Sequence, residues 1–388
     1  ALSSVQRLLI CKTIDMSFVI HGIGTATPPQ KIQQQHAARL ASNLIGKKAP
    51  AERTMQAIYR QTRIEQRSSV LLDVPDDTDF HQKFFYPASS SEDHGPTTQE
   101  RMAKYNIEST PLAAAAVEKA LAQANVTTAE ITHLITCSCT GFHAPGVDIA
   151  LMKSLGFAAS TSRTHIGFMG CHGGFNALRV AKAYAEADPE ATVLIVCVEL
   201  CSLHFQYTDN PEQIVANSIF SDGAAAIVGR STDYAQSSET ARWQLSDQTS
   251  VILPETIDQM EWSIGDHGFE MSLSAEVPSR IGNALPNITD AFLRKHKLQR
   301  KQITDWAVHP GGPRILTMAE QSLTLNSDAL HLSRHVLSQH GNMSSATIFF
   351  ILEALFAQSR NHSSSNQPKR CVAMAFGPGL TTEIALFQ

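Results

Sequence analysis

The sequence predicts an α/β protein built from two similar halves. Helical periodicity alternates along the chain with short apolar runs, as expected when helices and strands take turns. The later runs are apolar on both faces, the pattern of a sheet covered by helices on each side. One block also echoes another: "AEITHLITCSCTG" (129–141) and "KQITDWAVHPGGP" (301–313) align through Ile131-Thr132 and Ile303-Thr304.

The folded chain is expected to begin at Met16, where "MSFVIHGIGTATPP" is a β-like run closed by a Gly/Pro turn. Residues 1–15 read as an upstream extension or an expression remnant. Apolar residues at helical spacing predict helices over 111–126, 173–188, 285–298 and 344–359. Strands are predicted over 133–138, 192–199, 224–229, 306–309 and 371–376. Segments 84–100 and 361–370 are polar and turn-rich and are expected as surface loops. The polar stretch 231–250 is expected to divide an N-terminal half, 16–230, from a C-terminal half, 231–388. In each half a strand follows the Ile-Thr turn, and a Gly-rich stretch, an apolar helix and another strand come later. Such a duplication places Cys171 and Asn342 at equivalent helix starts, with His309 just past a strand end.

Composition sets the outer limits. A chain of 388 residues, 43% hydrophobic and 17% charged, can bury a large core in one big domain or two fused ones. A formal charge of -5 supplies no basic field for nucleic acid and no attraction to anionic membranes. No stretch reaches the roughly 20 apolar residues that span a bilayer, and "ALSSVQRLLICKTIDMSFVI" lacks the long apolar core of a signal peptide. A cytoplasmic location is expected. The seven cysteines, an odd number, do not resemble a secreted disulfide framework. Cys137-x-Cys139 and the i, i+4 pair Cys197 and Cys201 leave zinc as the weaker alternative to reduced, buried thiols. "HGIGTATPP" (21–29) holds only a fragment of a dinucleotide fingerprint.

Three positions carry chemistry. Cys171 lies in "HIGFMGCHGGFNALRVAKAY" where a small-residue turn gives way to a helical pattern; a helix N-terminus and a nearby histidine both favour thiolate. His309 ends an apolar strand, and "PGGP" behind it turns the chain away. Asn342 opens a buried helix in "QHGNMSSAT", where an asparagine is by default an N-cap. Each signal alone has an ordinary structural reading.

Together and in this order, "GCHGG" (170–174), "HPGGP" (309–313), "GNMSSA" (341–346) and "AFGPGL" (375–380) resemble the type III polyketide synthases, the chalcone and stilbene synthase-like branch of the thiolase superfamily. The resemblance runs from about Met16 to Gln388 and is closest to bacterial members, in which a cysteine such as Cys139 stands where plant members carry threonine. It implies a five-layered αβαβα thiolase fold and a homodimer. It also implies that Cys171 loads an acyl-CoA starter, and that His309 and Asn342 stabilise the enolate formed when malonyl-CoA loses carbon dioxide. The chain is then extended and cyclised to a pyrone, resorcinol or related aromatic product, with no metal, flavin or nicotinamide.

Further positions follow from the same resemblance. Phe220 and Phe269 match gatekeepers between the CoA tunnel and the cavity. Gly377, Pro378 and Gly379 match a loop at the cavity floor, and Glu199 and Ser344 match positions linked to the cyclisation route. Cys139, Cys201 and His204 are expected on the cavity wall, His204 where threonine is frequent. His172 replaces the aromatic or aliphatic residue common after the nucleophile. The basic residues that grip CoA in plant members are not matched; Arg53, Arg60 and Arg63 are the expected substitutes, with Gly311 and Gly312 beside them. A single-condensation ketoacyl synthase III-like or alkylquinolone-type enzyme, and a non-catalytic acyl-CoA-binding protein of the same fold, are the alternatives.

Overall fold

The computed structural model describes residues 18–73, 82–231, 243–361 and 369–388. The expected extension 1–15, and most of the loop 361–370, lie outside the described residues. The N-terminal portion runs β1 (Phe18–Ala26), β2 (Lys31–Gln33), α1 (Gln34–Ile45), α2 (Glu52–Gln61), β3 (Gln66–Ser68), α3 (Thr98–Ala124), β4 (His133–Ser138), α4 (Val147–Leu155), β5 (Ser162–Gly167), α5 (Gly173–Ala187), β6 (Thr192–Leu200), α6 (Pro211–Ile219) and β7 (Asp222–Ser231). It is followed by β8 (Trp243–Ile252), β9 (Met260–Gly265), β10 (Gly268–Leu273), α7 (Val277–Lys295), β11 (Asp305–Val308), α8 (Pro313–Leu323), α9 (His331–His340), α10 (Thr347–Asn361), β12 (Cys371–Gly377) and β13 (Thr381–Phe387).

Nine strands form one sheet in the order β11-β12-β13-β8-β1-β7-β6-β4-β5. Its two wings meet at a seam where, among the described residues, Phe18–Ile20 pair with Trp243–Leu245. Strand pleating sorts the side chains into layers, because successive residues point to opposite faces. Along β6, Val193, Ile195 and Cys197 join a central core that also holds Phe175 of α5 and Phe349 of α10. Leu194, Val196 and Val198 face the other way, onto Ala113, Val117 and Ala120 of α3. Along β12, Cys371 and Ala373 face the centre, and Val372 and Met374 pack on Ile281 of α7 and Leu316 of α8. Helices α3 and α4, one wing, helices α5 and α10, the other wing, and helices α7 and α8 thus make five layers, αβαβα.

The sequence echo has a physical counterpart. Thr132 donates through Oγ1 to Thr192 O at 3.0 Å and accepts from Thr192 N at 2.9 Å. Thr304 does the same to Arg370, with Oγ1 to O at 2.9 Å and N to Oγ1 at 2.9 Å. In each wing that clasp starts a parallel pair, β4 with β6 and β11 with β12.

Several expected boundaries move. Residues 111–126 are the second half of α3, which starts at Thr98 with a capping box between Thr97 and Glu100. Pro111 is therefore interior to the helix and exposed, while Tyr105 before it and Leu112 and Ala113 after it pack in the apolar core. Helix α7 likewise begins at Val277 and carries Pro286 inside. The polar stretch 231–250 contains strand β8 from Trp243 onward: Trp243 and Leu245 are buried while intervening residues are polar and half-buried. Its alternation is that of a strand with one covered face. Of segment 84–100, residues 84–97 are loop and Thr98 onward is helix.

Candidate active site

Parallel strands of both wings end at one place, and the chemistry-bearing residues follow those ends. Cys139 follows β4, Cys201 follows β6, and Cys171 follows the turn after β5; His309 follows β11 and Pro378 follows β12. Gly170, at φ 84°, turns the chain just before Cys171. A Cβ on Gly174 would stand 2.9 Å from Ser345 O, so only a glycine lets α5 start against the turn at 344–346. That approach brings Cys171 to Asn342. Asn342 Nδ2 faces Cys171 Sγ at 3.8 Å, while its Oδ1 accepts from Ser344 N at 2.8 Å, which fixes the amide orientation.

His309 is fully buried beside them, and neither ring nitrogen has a hydrogen-bond partner. Burial, with His172 nearby, lowers its pKa to about 3. Burial also pushes the Cys171 thiol up to about 11, against the pull of hydrogen bonds from Ser344 and Asn342. Neither charge is favourable alone in this dry pocket.

Two hollows meet at Cys171. The outer one is lined by Cys171, His309, Asn342, Phe220, Gly311 and Gly312. The inner one is lined by Cys171, Cys139, Cys201, His204, Phe269 and Ser344, with Pro378 on its wall. Phe220 borders both, at the C-cap of α6. Its backbone is bridged to Asn342: Asn342 N donates to Ile219 O at 3.0 Å and Ser221 N to Asn342 O at 2.9 Å. Cys139 is pinned by Gly170 N, which donates to its Sγ at 3.0 Å.

Some expected positions fall elsewhere. Glu199 has 0% exposure and borders neither hollow. Its carboxyl accepts from Cys139 N at 2.9 Å, Thr140 Oγ1 at 2.8 Å and Ser345 Oγ at 2.5 Å, so it holds the wall from behind. Burial raises its pKa and these donors oppose the rise. Gly377 and Gly379 are also off the lining; a Cβ on Gly377 would sit 2.0 Å from His172 Nδ1. Arg53, Arg60 and Arg63 are exposed and border neither hollow. The outer hollow meets α2 through Ile58 and Gln61, and its basic side chain is Arg314, directly after the "HPGGP" block.

Sequence reasoning also missed Trp262 and Arg67 on the inner wall. Trp262 Nε1 donates to Cys139 O at 2.7 Å; one of only three tryptophans in the chain, it was a signal left unread. Among the described residues no cluster of three His, Cys, Asp or Glu side chains could hold a metal ion, and no helix is long and apolar enough to cross a membrane.

Comparison with known proteins decides the family. The model for chalcone and stilbene synthases, N-terminal domain, matches residues 13–232, and the model for the C-terminal domain matches residues 244–388. The chain belongs to the chalcone and stilbene synthases, the type III polyketide synthases. It is 33% identical over 370 residues to the alpha-pyrone synthesis polyketide synthase-like Pks18 of Mycobacterium tuberculosis, covering 95% of this chain and 91% of that protein. It is 35% identical over 291 residues to type III polyketide synthase 21 of Oryza sativa, covering 74% of each. The crystal structure of PKS-I from the brown alga Ectocarpus siliculosus superposes with a TM-score of 0.86 at 30% identity, covering 96% of this chain and 98% of that one. As a type III polyketide synthase the protein is an acyltransferase of thiolase-like fold.

Proposed function

We propose that the synthase loads an acyl group from an acyl-CoA onto Cys171 and extends it with malonyl-CoA, using His309 and Asn342. The observation that carries this reading is the approach of Asn342 Nδ2 to Cys171 Sγ at 3.8 Å on the wall of a hollow that also holds the unpartnered imidazole of His309. His309 takes the thiol proton as Sγ attacks the thioester carbonyl, and CoA leaves as its thiol. Malonyl-CoA then breaks its bond to the terminal carboxylate, which departs as carbon dioxide. The electron pair left behind is an enolate whose oxygen accepts hydrogen bonds from Asn342 Nδ2 and His309. The enolate carbon attacks the acyl-cysteine, forming a C–C bond and returning the Cys171 thiolate. The gate position of Phe220, bordering both hollows, suits a passage from CoA entry to chain growth. Gly311, Gly312 and Arg314 border the outer hollow, where the CoA arm enters in this reading. Ring closure gives a pyrone, resorcinol or related aromatic; the relative named for alpha-pyrone synthesis supports the first.

The synthase works as a homodimer in this reading. Strand β5 is a sheet edge, and Phe142, Ile149 and Met169 are exposed; such edges and apolar residues call for a cover. Six described cysteines are unbridged, which supports a reducing compartment such as the cytoplasm. Light scattering on the purified chain tests the dimer. Incubation of wild type and Cys171→Ala with acyl-CoA and labelled malonyl-CoA, read by mass spectrometry, tests the reaction. Products carrying two or more malonyl units from wild type, and none from Cys171→Ala, are expected; products from Cys171→Ala sink the mechanism, and one unit per starter supports a single-condensation enzyme.

A further inference from the structure

The inner hollow extends beyond the catalytic centre to helix α1. Ala37, Leu40, Ala41 and Leu44 line it, and at about 100° per residue they fall within one arc of about 100° on the helix. Alanines four apart leave a shallow row, and the two leucines flank it on one side. Ile32 and Leu72 line the same part. From Ala37 to Leu44 the helix rises about 10 Å, which is the length of wall it supplies to this channel.

Another part of the wall is already filled with stacked rings. His204 stacks on Phe269 with centroids 4.1 Å apart, and Trp262 meets both edge-on, at 5.5 Å from His204 and 5.7 Å from Phe269. A flat ring entering there finds the stacking face of Phe269 occupied. A surface hollow bordered by the polar residues His36, Arg39 and Glu52 shares the walls Ile32, Leu40, Leu44 and Phe85 with the channel. The far end of the channel therefore continues toward polar surface.

We propose that this channel holds the tail of a linear aliphatic acyl starter, so that the synthase selects medium- and long-chain acyl-CoA over aromatic acyl-CoA. The inference rests on Cys171 as the acyl carrier. A chain anchored at Cys171 has apolar wall to contact, the aliphatic side chains of α1 together with Tyr59, Phe85 and Phe205, and each methylene that enters leaves water. The polar far end gives no blunt stop, so affinity levels off for the longest chains.

The test is equilibrium binding of butyryl-, hexanoyl-, octanoyl-, decanoyl-, tetradecanoyl- and benzoyl-CoA to the full chain carrying Cys171→Ala. The dissociation constant is expected to fall about fourfold per added methylene from hexanoyl to decanoyl, then level off, with benzoyl-CoA weaker than decanoyl-CoA. Adding Leu40→Trp, a half-buried position, is expected to weaken decanoyl-CoA at least tenfold more than butyryl-CoA, and Ala41→Leu to act in the same direction. Equal affinity from hexanoyl to decanoyl, tighter benzoyl-CoA, or equal losses for short and long chains in both variants overturns the proposal. Failure of the Cys171 reading shows separately, as wild type that makes no product from any of these thioesters with malonyl-CoA.

Discussion

Phe269 is held by His204 through backbone and ring at once. The Phe269 N–H donates to His204 Nδ1 at 2.9 Å, and the two rings stack at 14°. Because Nδ1 accepts, Nε2 carries the proton and donates to Thr140 O at 2.7 Å. Burial lowers the His204 pKa to about 3, so the imidazole is neutral and this tautomer persists across the working range.

Replacing His204 by leucine leaves the buried Phe269 N–H and Thr140 C=O without these partners. The expected cost is about 1–3 kcal/mol per group left unsatisfied, seen as a lower Tm. The freed Phe269 is also expected to broaden the range of product lengths in mass spectra. An unchanged Tm with an unchanged product profile contradicts the role given to His204.

In the proposed reaction, Asn342→Ala removes one donor to the enolate oxygen while leaving the thiol and His309 in place. Carbon dioxide release from malonyl-CoA is expected to drop roughly 10²- to 10³-fold. Acylation of Cys171 by a starter thioester, followed by intact-protein mass, is expected to survive with a much smaller loss. Equal losses in both steps contradict the division of labour.

Arg67 serves the end of α6, where helix carbonyls lack intrahelical donors. Its Nη1 donates to Asn217 O at 2.9 Å and to Phe220 O at 2.5 Å, and its Nε to Gln34 Oε1 at 3.0 Å. Phe220 is in turn bridged to Asn342. Arg67→Met is expected to slow malonyl-CoA decarboxylation at least tenfold and Cys171 acylation less, with Arg67→Lys restoring part, since an ammonium cannot reproduce the planar fork. Parallel losses in the two steps, or a Lys variant no better than Met, reduce Arg67 to general stability.

His172 is buried, its Nδ1 has no partner, and burial holds its pKa at about 4 against 6.5 for a free imidazole. Between these values the unfolded chain binds a proton that the folded chain refuses, so this residue's contribution to stability falls as pH drops from 6.5 toward 4. The full difference is up to about 3 kcal/mol. In His172→Asn the loss of Tm on acidification is expected to be shallower than in wild type; matching slopes count against it.

Local features made much of this site readable. The helix at 173–187 starts where its Gly-Gly pair and apolar spacing place it, and the Ile-Thr echo marks a clasp repeated in both wings. Helices α1 and α2 escaped notice because their apolar faces are interrupted by polar residues that find buried partners, such as Gln34, whose Nε2 donates to Ser218 O at 2.7 Å. No local pattern announces a partner so far along the chain.

The sequence by itself placed Cys171 at a helix start, His309 just past a strand and Asn342 before a buried helix, because each sits in a short block whose turn chemistry is written in adjacent residues. Tertiary structure decided what surrounds them. Glu199 and Cys201 lie two residues apart, yet one is clamped behind the wall and the other borders the hollow, since strand β6 ends between them and the chain changes direction. Arg53, Arg60 and Arg63 point to solvent while Arg67 reaches the inner wall. Which way a side chain faces depends on strand register and helix rotation against distant elements, and those are settled only when the two wings close on α5 and α10.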